Sequence, residues 1–403
     1  MNADGGTVIQ PPFGTLAAEG PLALYIHWPF CVSKCPYCDF NSHVRETLDQ
    51  RAFHDGYLKA LRAWAELVPN RRLVSIFFGG GTPSLMDPAT AGAAITEARR
   101  LWRADDDLEI TLEANPNSAE AARFEAFADA GVNRISIGVQ SLDDDALRFL
   151  GRAHDSREAL AALAAAQKAV ARVSLDLIYA RPDQTIAAWQ AELRRAVALG
   201  TTHISAYQLT IEKGTPFFAM AAKGALVTPD EDAQAAMYEA TQDILSDAGL
   251  PAYEISNHAR PGAESRHNLV YWRYGDYLGI GPGAHGRLTC GDGSTGIATA
   301  AHRKPETWLD ATHGGDPLAL GETTPLSRDE RIHEMTMMGL RLTTGIARDD
   351  FERIAGQTIE ATFDKAAVDR LAKGGFLVID DHGLRATEAG RARLNAVLAA
   401  LLP

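Results

Sequence analysis

Three cysteines, Cys31, Cys35 and Cys38, follow an apolar run at residues 22–27, in the spacing C-x3-C-x2-C. Three thiolates can hold three corners of a 4Fe–4S cube and leave one iron without a protein ligand. A cluster built only for electron transfer usually takes a fourth cysteine. An open iron binds a small molecule instead, so the spacing predicts a site of chemistry. The rival reading is zinc, in a Cys3His site that draws its fourth ligand from His27 or His43. Cys290 stands alone and reads as a structural thiol. Four cysteines in 403 residues, three of them crowded together, make no disulfide framework and fit a reducing cytoplasm.

Such a loop needs a scaffold that brings other polar groups to it. Strand-like runs recur at 22–27, 74–78, 109–113, 134–138, 173–177 and 203–208. Ala-, Leu- and Glu-rich segments such as 47–67 and 156–170 separate them, with apolar residues at helical spacing. This rhythm predicts an α/β fold with parallel strands covered by helices. Six units imply a partial or complete (β/α) TIM-like barrel, with a doubly wound sheet as the alternative. Both architectures place their sites at the C-terminal ends of the strands.

All six runs end in unusual residues: the three cysteines, then Gly79-Gly80-Gly81-Thr82-Pro83, Glu113-Ala114-Asn115-Pro116, Gly138-Val139-Gln140-Ser141, Asp176, and Tyr207-Gln208. Taken singly, each has a plain explanation as a turn, a cap, an ion pair or a surface group. Their convergence on one end of the fold carries the argument. Glycines let a ligand approach the backbone. Strand-end carboxylates such as Glu113 and Asp176 suit ribose hydroxyls or an ammonium group, and Arg152 suits a ligand carboxylate.

Residues 1–20 read as a disordered arm without the features of a signal peptide, and the barrel is expected over 21–290. Thr228 is expected to cap a helix, with Pro229 as its first residue, Glu231 completing a capping box and Gly249 closing it. Residues 252–286 form an irregular stretch rich in His, Asn, Tyr, Trp and Gly, and 291–323 read as linker-like. Over 324–403, amphipathic helices at 328–343 and 359–373 and a hairpin around Asp381-His382-Gly383 predict a smaller, mostly α, winged-helix-like domain. A net charge of −13 argues against nucleic acid as its partner and for a packing or lid role. No apolar stretch reaches the roughly 20 residues of a membrane span.

Tyr25-Ile26-His27-Trp28-Pro29-Phe30-Cys31 with Cys35, Tyr37 and Cys38, then Gly79-Gly80-Gly81-Thr82-Pro83-Ser84, resembles the radical S-adenosylmethionine (SAM) superfamily. More narrowly it resembles the branch of oxygen-independent coproporphyrinogen III oxidase and the HemW-type heme chaperones, over most of the chain. Gly138-Val139-Gln140-Ser141, Asp176-Leu177-Ile178-Tyr179 and Leu278-Gly279-Ile280-Gly281-Pro282-Gly283-Ala284-His285 match as well. The resemblance implies a radical-SAM-type partial barrel and a 4Fe–4S cluster held by Cys31, Cys35 and Cys38. The amino and carboxylate groups of SAM then chelate the open iron. Tyr25, Tyr37, Gly80, Gly81, Thr82 and Glu113 are implied to surround SAM. Gln140, Arg152, Asp176, Tyr207 and His285 fall where the oxidase lines a second SAM site.

Two departures from the oxidase stand out. Its extra cysteine, two residues after the third, is Phe40 here, and its longer N-terminal arm is replaced by 24 residues before Tyr25. Arg266-His267-Asn268-Leu269-Val270-Tyr271-Trp272 resembles the H-N-x-x-Y-W signature of the heme-binding branch. It implies His267 as axial heme ligand with Tyr271 beside it; the plain alternative is a histidine hydrogen-bonded within an irregular loop. The expected function is a heme chaperone carrying a cluster, SAM and heme. Its expected partners are a reductant for the cluster and heme-acceptor proteins, membrane-associated respiratory enzymes among them. The runner-up is the oxidase.

Overall fold

A computed structural model describes residues 14–402. The expected arm therefore lies mostly outside the described residues. What is described of it is not loose. Leu16 is buried and bridges Cys290, and the Arg71 guanidinium donates to the carbonyls of Ala17, Gly20 and Pro21.

Six parallel strands are laid down in chain order: β1 (Pro21–Trp28), β2 (Arg72–Gly80), β3 (Arg103–Ala114), β4 (Arg134–Gln140), β5 (Arg172–Tyr179) and β6 (His203–Gln208). A doubly wound sheet reverses its winding at a switch point. Here the order never reverses, so the fold is the partial barrel. It does not close. β7 (Asn257–Ala259) runs antiparallel along the β6 edge. On the other side β8 (Tyr277–Ile280) lies parallel to β1, and β9 (His285–Thr289), β10 (Gly296–Ala301) and β11 (Gly321–Leu326) extend it antiparallel.

The linker-like reading of 291–323 is therefore corrected. This stretch holds β10, the helix Pro305–Ala311 and the start of β11. Trp308 is fully buried and packs on Phe53 and Tyr57. Few large apolar residues mark it, so composition alone hides it. The expected helix cap also moves: Asp230, not Thr228, accepts from Ala233 N at 2.8 Å and starts the helix Glu231–Asp247, leaving Pro229 outside. Gly249 ends that helix at φ +73° as expected, in the left-handed region that favours glycine.

Strand alternation sorts the residues. Leu24, Ile26, Phe78, Leu112, Ile135, Leu175 and Ile204 point outward and are buried in the main core. Each contributes roughly 1.5–3 kcal/mol by leaving water. The residues between them, Tyr25, Phe77, Glu113, Ser136, Asp176 and Tyr207, face a lumen and stay partly open. Register keeps this set together: Tyr25 pairs with Phe77, Phe77 with Thr111, Glu113 with Ser136, and Asp176 with Ser205.

Beyond the barrel, the helices Arg328–Gly339, Arg348–Ala355 and Lys365–Lys373 pack with a three-stranded sheet. Its strands run in the order Ile346–Ala347, Gly383–Ala386, Leu377–Asp380. Leu340, Ile346, Phe351, Ile354 and Leu384 form a core separate from that of the barrel. The helix expected over 359–373 is two helices, because the Asp364 side chain caps a fresh start by accepting from Ala367 N.

Candidate functional site

The end of β1 leads into a short parallel pair, Phe30–Cys31 with His43–Val44, and the loop between carries the three cysteines. Gly81 N and Thr82 N donate to the carbonyls of Trp28 and Phe30, each at 2.8 Å, which ties this loop to the end of β2. Its middle is docked across the barrel mouth. Phe217 N donates to Pro36 O at 3.0 Å, and Tyr37 packs into a small apolar cluster with Leu150, Ile178, Leu209 and Phe217. Gly151 is glycine for the same docking: a Cβ there would lie 2.6 Å from the Pro36 ring.

All three thiols are free and half-buried. Burial pushes Cys31 and Cys38 up, opposed by the Thr82 hydroxyl on Cys31 and by the Phe40 backbone on Cys38. Among the described residues, no three His, Cys, Asp or Glu side chains are gathered to hold a single metal ion. Both candidate zinc histidines are also engaged. His27 donates from Nε2 to Asn41 O at 2.9 Å and accepts at Nδ1 from the Tyr25 hydroxyl at 3.0 Å, and His43 donates from Nε2 to Arg303 O at 3.2 Å. Three thiols on one loop with no fourth ligand fit a cube with an open iron better than a tetrahedral ion.

The glycines are first of all a packing device. A Cβ on Gly81 would lie 2.7 Å from Phe30 O, one on Gly79 2.8 Å from the Tyr25 ring, and one on Gly80, at φ +114°, 2.5 Å from the His27 ring. Glycine at all three lets the ends of β1 and β2 close up, so that the cysteine loop sits directly on the lumen.

A chain of polar contacts joins two of the sulfurs. Thr82 Oγ1 donates to Cys31 Sγ at 3.4 Å, and Asn115 Nδ2 donates to Thr82 Oγ1 at 2.9 Å. Arg152 then donates to Asn115 Oδ1 and, at 3.4 Å each, to Cys35 Sγ and the Tyr37 hydroxyl. Asn115 was visible in sequence only as part of a polar strand end; its role as the middle of this chain needs the fold.

Below the loop, Glu113 accepts from Gly80 N at 3.2 Å and Asp176 accepts from Ser136 Oγ at 3.2 Å. Burial, with the charge of Asp176 second, pushes Glu113 up to about 8. Burial likewise raises Asp176 to about 6, against the Ser205 and Ser136 hydroxyls and the charges of Arg134 and Arg152. Neither forms an ion pair among the described residues. The lumen is therefore a polar, proton-rich chamber suited to a cationic or hydroxyl-bearing ligand.

Gln140 adopts φ +67° where the β4–β5 register slips, a bulge that re-aims its side chain at the mouth. Tyr207 keeps 42% of its surface open, yet the protein around it raises its phenol well above the ordinary value. His285 stands apart. It is exposed at the start of β9, at the opposite end of the strand order from Gln140 and Tyr207.

His267 and Tyr271 lie on the helix Arg266–Trp272, at the lower end of the same lumen: His267 N donates to Glu109 at 3.1 Å, and its ring stacks on that of Tyr25 with centroids 6.3 Å apart. His267 is 1% exposed and its ring is stacked on Phe77 with centroids 4.8 Å apart. Its Nδ1 meets Ser75 Oγ at 2.8 Å and its Nε2 meets the Tyr271 hydroxyl. Burial lowers its pKa to about 3. The sequence left it as an axial ligand or a histidine hydrogen-bonded within an irregular loop; the structure has both its nitrogens engaged, on a short helix rather than a loop.

Comparison with known proteins agrees with this architecture. Residues 25–196 match the Radical SAM superfamily and residues 326–393 the HemN C-terminal domain. The chain is 40% identical over 389 residues to radical S-adenosyl methionine domain-containing protein 1, mitochondrial, of Bos taurus, covering 94% of this chain and 87% of that one. It is 38% identical over 389 residues to heme chaperone HemW of Escherichia coli K12, covering 94% and 97%. The solved structure of coproporphyrinogen III oxidase (HemN) from E. coli superposes with a TM-score of 0.77 at 23% identity, over 96% of this chain and 91% of that chain. That likeness establishes the shared fold. No helix among the described residues is long and apolar enough to cross a membrane.

Proposed function

This chain belongs to the radical SAM superfamily, among the relatives of heme chaperone HemW, and we propose that it is itself a heme chaperone. In this reading it binds a 4Fe–4S cluster, SAM and heme, and delivers heme to acceptor proteins. The observation that carries the cluster is the loop of three free thiols with no fourth ligand, docked over a polar lumen. What favours a chaperone over an oxidase is Phe40: it stands where the oxidase has another cysteine, and its side chain is 60% exposed to solvent.

Cys31, Cys35 and Cys38 would hold the cluster, and Tyr25, Tyr37, Gly80, Gly81, Thr82 and Glu113 would surround SAM. When reduced, such a cluster supplies one electron to a sulfonium bound at its open iron. The chain's own part is to position and to screen. The Gly79–Gly81 backbone closes against the end of β1, and the docked loop is held across the barrel mouth. Glu113, neutral in large part at pH 7, loses its proton as a cationic group settles beside it.

His267 and Tyr271 remain the proposed heme contacts, on the strength of their sequence motif and the names of the relatives. Iron coordination requires the imidazole to give up Ser75 or Tyr271, so heme binding by this route moves the helix Arg266–Trp272. Two measurements test the reading on anaerobically purified protein. Iron and sulfide analysis should find a cluster; a colourless chain with one zinc and no sulfide overturns that part. Heme titration of wild type and His267→Ala should show a weakened, spectrally altered complex in the variant, and unchanged affinity and spectrum remove His267 as ligand. Conversion of coproporphyrinogen to protoporphyrinogen with CO2 release would put the oxidase in place of the chaperone.

A further inference from the structure

Arg152 lies among hydrogen-bond acceptors with no carboxylate in ion-pair contact among the described residues; Asp176 and Glu120 feel its charge only from further away. One terminal nitrogen donates to Cys35 Sγ and the Tyr37 hydroxyl at 3.4 Å, and the other to Gly138 O at 3.0 Å and to Asn115 Oδ1. Its Nε is buried with no partner. Among the described residues it forms no ion pair, whereas the more deeply buried Arg181 is paired with Glu192 at 2.6 Å. A guanidinium held in protein without a counter-charge costs several kcal/mol. The group it faces at shortest charge separation is a cysteine sulfur, which is anionic once it ligates iron.

We propose that Arg152 is a positioning residue for the cluster itself: it forms the cationic end of the chain Cys31–Thr82–Asn115–Arg152–Cys35, and its charge and N–H···S contact raise the cluster's reduction potential. This rests on the reading that the three cysteines hold a 4Fe–4S cluster. The step concerned is the addition of one electron from a low-potential one-electron donor. No covalent bond forms or breaks and no proton moves. The cluster gains one negative charge, and a fixed cation with an N–H aimed at its sulfur stabilises the reduced form more than the oxidised one. Asn115 sets the aim, since it holds Arg152 on one side and Thr82 on the other.

A carboxylate clamp for SAM makes a different prediction, and the two separate in a redox titration run without SAM. Full-length wild type, Arg152→Gln, Arg152→Lys and Asn115→Ala are reconstituted with iron and sulfide, and the signal of the reduced cluster is followed by electron paramagnetic resonance. Arg152→Gln with full iron and sulfide should lose about tenfold in the reduction equilibrium, a midpoint about 59 mV more negative. Arg152→Lys, which keeps the charge, should recover most of the shift, and Asn115→Ala should show a smaller shift of the same sign. An unchanged midpoint in fully loaded Arg152→Gln overturns the proposal, even where SAM affinity falls. Should Arg152→Gln take up no cluster, Asn115→Ala decides: a more negative midpoint supports the proposal and an unchanged one overturns it. Wild type without iron and sulfide would instead sink the cluster reading, and this proposal with it.

Discussion

At the floor of the barrel the Glu109 carboxylate meets Arg172 at 2.9 Å and Arg134 at 3.6 Å, Arg134 also donates to Ser174, and Glu109 receives the His267 backbone N–H. At the mouth, among the described residues, Glu113 and Asp176 share a lumen with no cation in pairing distance, and Arg152 has no carboxylate in ion-pair contact. The same residue types, the carboxylates on the same strands and Arg152 on the loop beyond β4, are paired internally at one end and left open at the other. Internal satisfaction belongs to a group whose task is to hold the fold. Charges left unpaired in a partly buried chamber mark the place where charge arrives from outside. His267 touches both ends: its backbone N–H binds Glu109 at the floor, and its ring stacks on the lumen residues Phe77 and Tyr25.

The comparison breaks if floor and mouth respond alike. Glu109→Ala should have the largest effect on stability, about 3–5 kcal/mol, because it strands the buried Arg134 and frees the partly exposed Arg172; denaturant unfolding of the apo chain measures it. Glu113→Gln should leave stability near wild type at pH 6 and weaken SAM binding about tenfold or more, read by calorimetry. Wild-type SAM affinity should rise as pH approaches about 8, since binding favours the ionised carboxylate, and that rise should vanish in the variant.

A smaller effect tests the sign of the same shifts. Both carboxyls have native pKa values above their unfolded ones, 4.5 to about 8 and 3.8 to about 6, so the native apo chain holds the extra protons. Stability should therefore fall as pH rises from about 4 to 8, and Asp176→Asn should flatten the lower part of that slope. The smallest expected change is Gln140→Gly, which relieves a left-handed backbone at φ +67° and should be neutral or stabilising by up to about 1 kcal/mol.

Much of this was legible in the chain. Each of the six expected runs lies within a barrel strand, because parallel strands buried under helices read as apolar runs with polar ends. The cysteine loop was plain because its residues are neighbours in sequence. What stayed hidden depends on register between distant segments. The Glu109–Arg134–Arg172 contact joins three strands, and Asn115 matters only because the ends of β2, β3 and the loop around Arg152 converge. The stretch 291–323 was misjudged because its strands are short and carry small residues, and edge pairing rather than an apolar run makes them strands. His267 was placed by motif, which says what a residue resembles and nothing of which way it faces.

The fastening of the cysteine loop has a bearing on how the protein is made. Its Pro36 carbonyl is held by the N–H of Phe217, which follows the last barrel strand. During synthesis the thiols leave the ribosome early, while the segment that clamps them appears only after all six strands. Until then the loop is tied only to the end of β2, through Gly81 N and Thr82 N, and its Pro36 end is unfastened. Completion of the barrel then fastens the loop at Pro36, so the order of synthesis itself leaves a window in which the three thiols are reachable from outside.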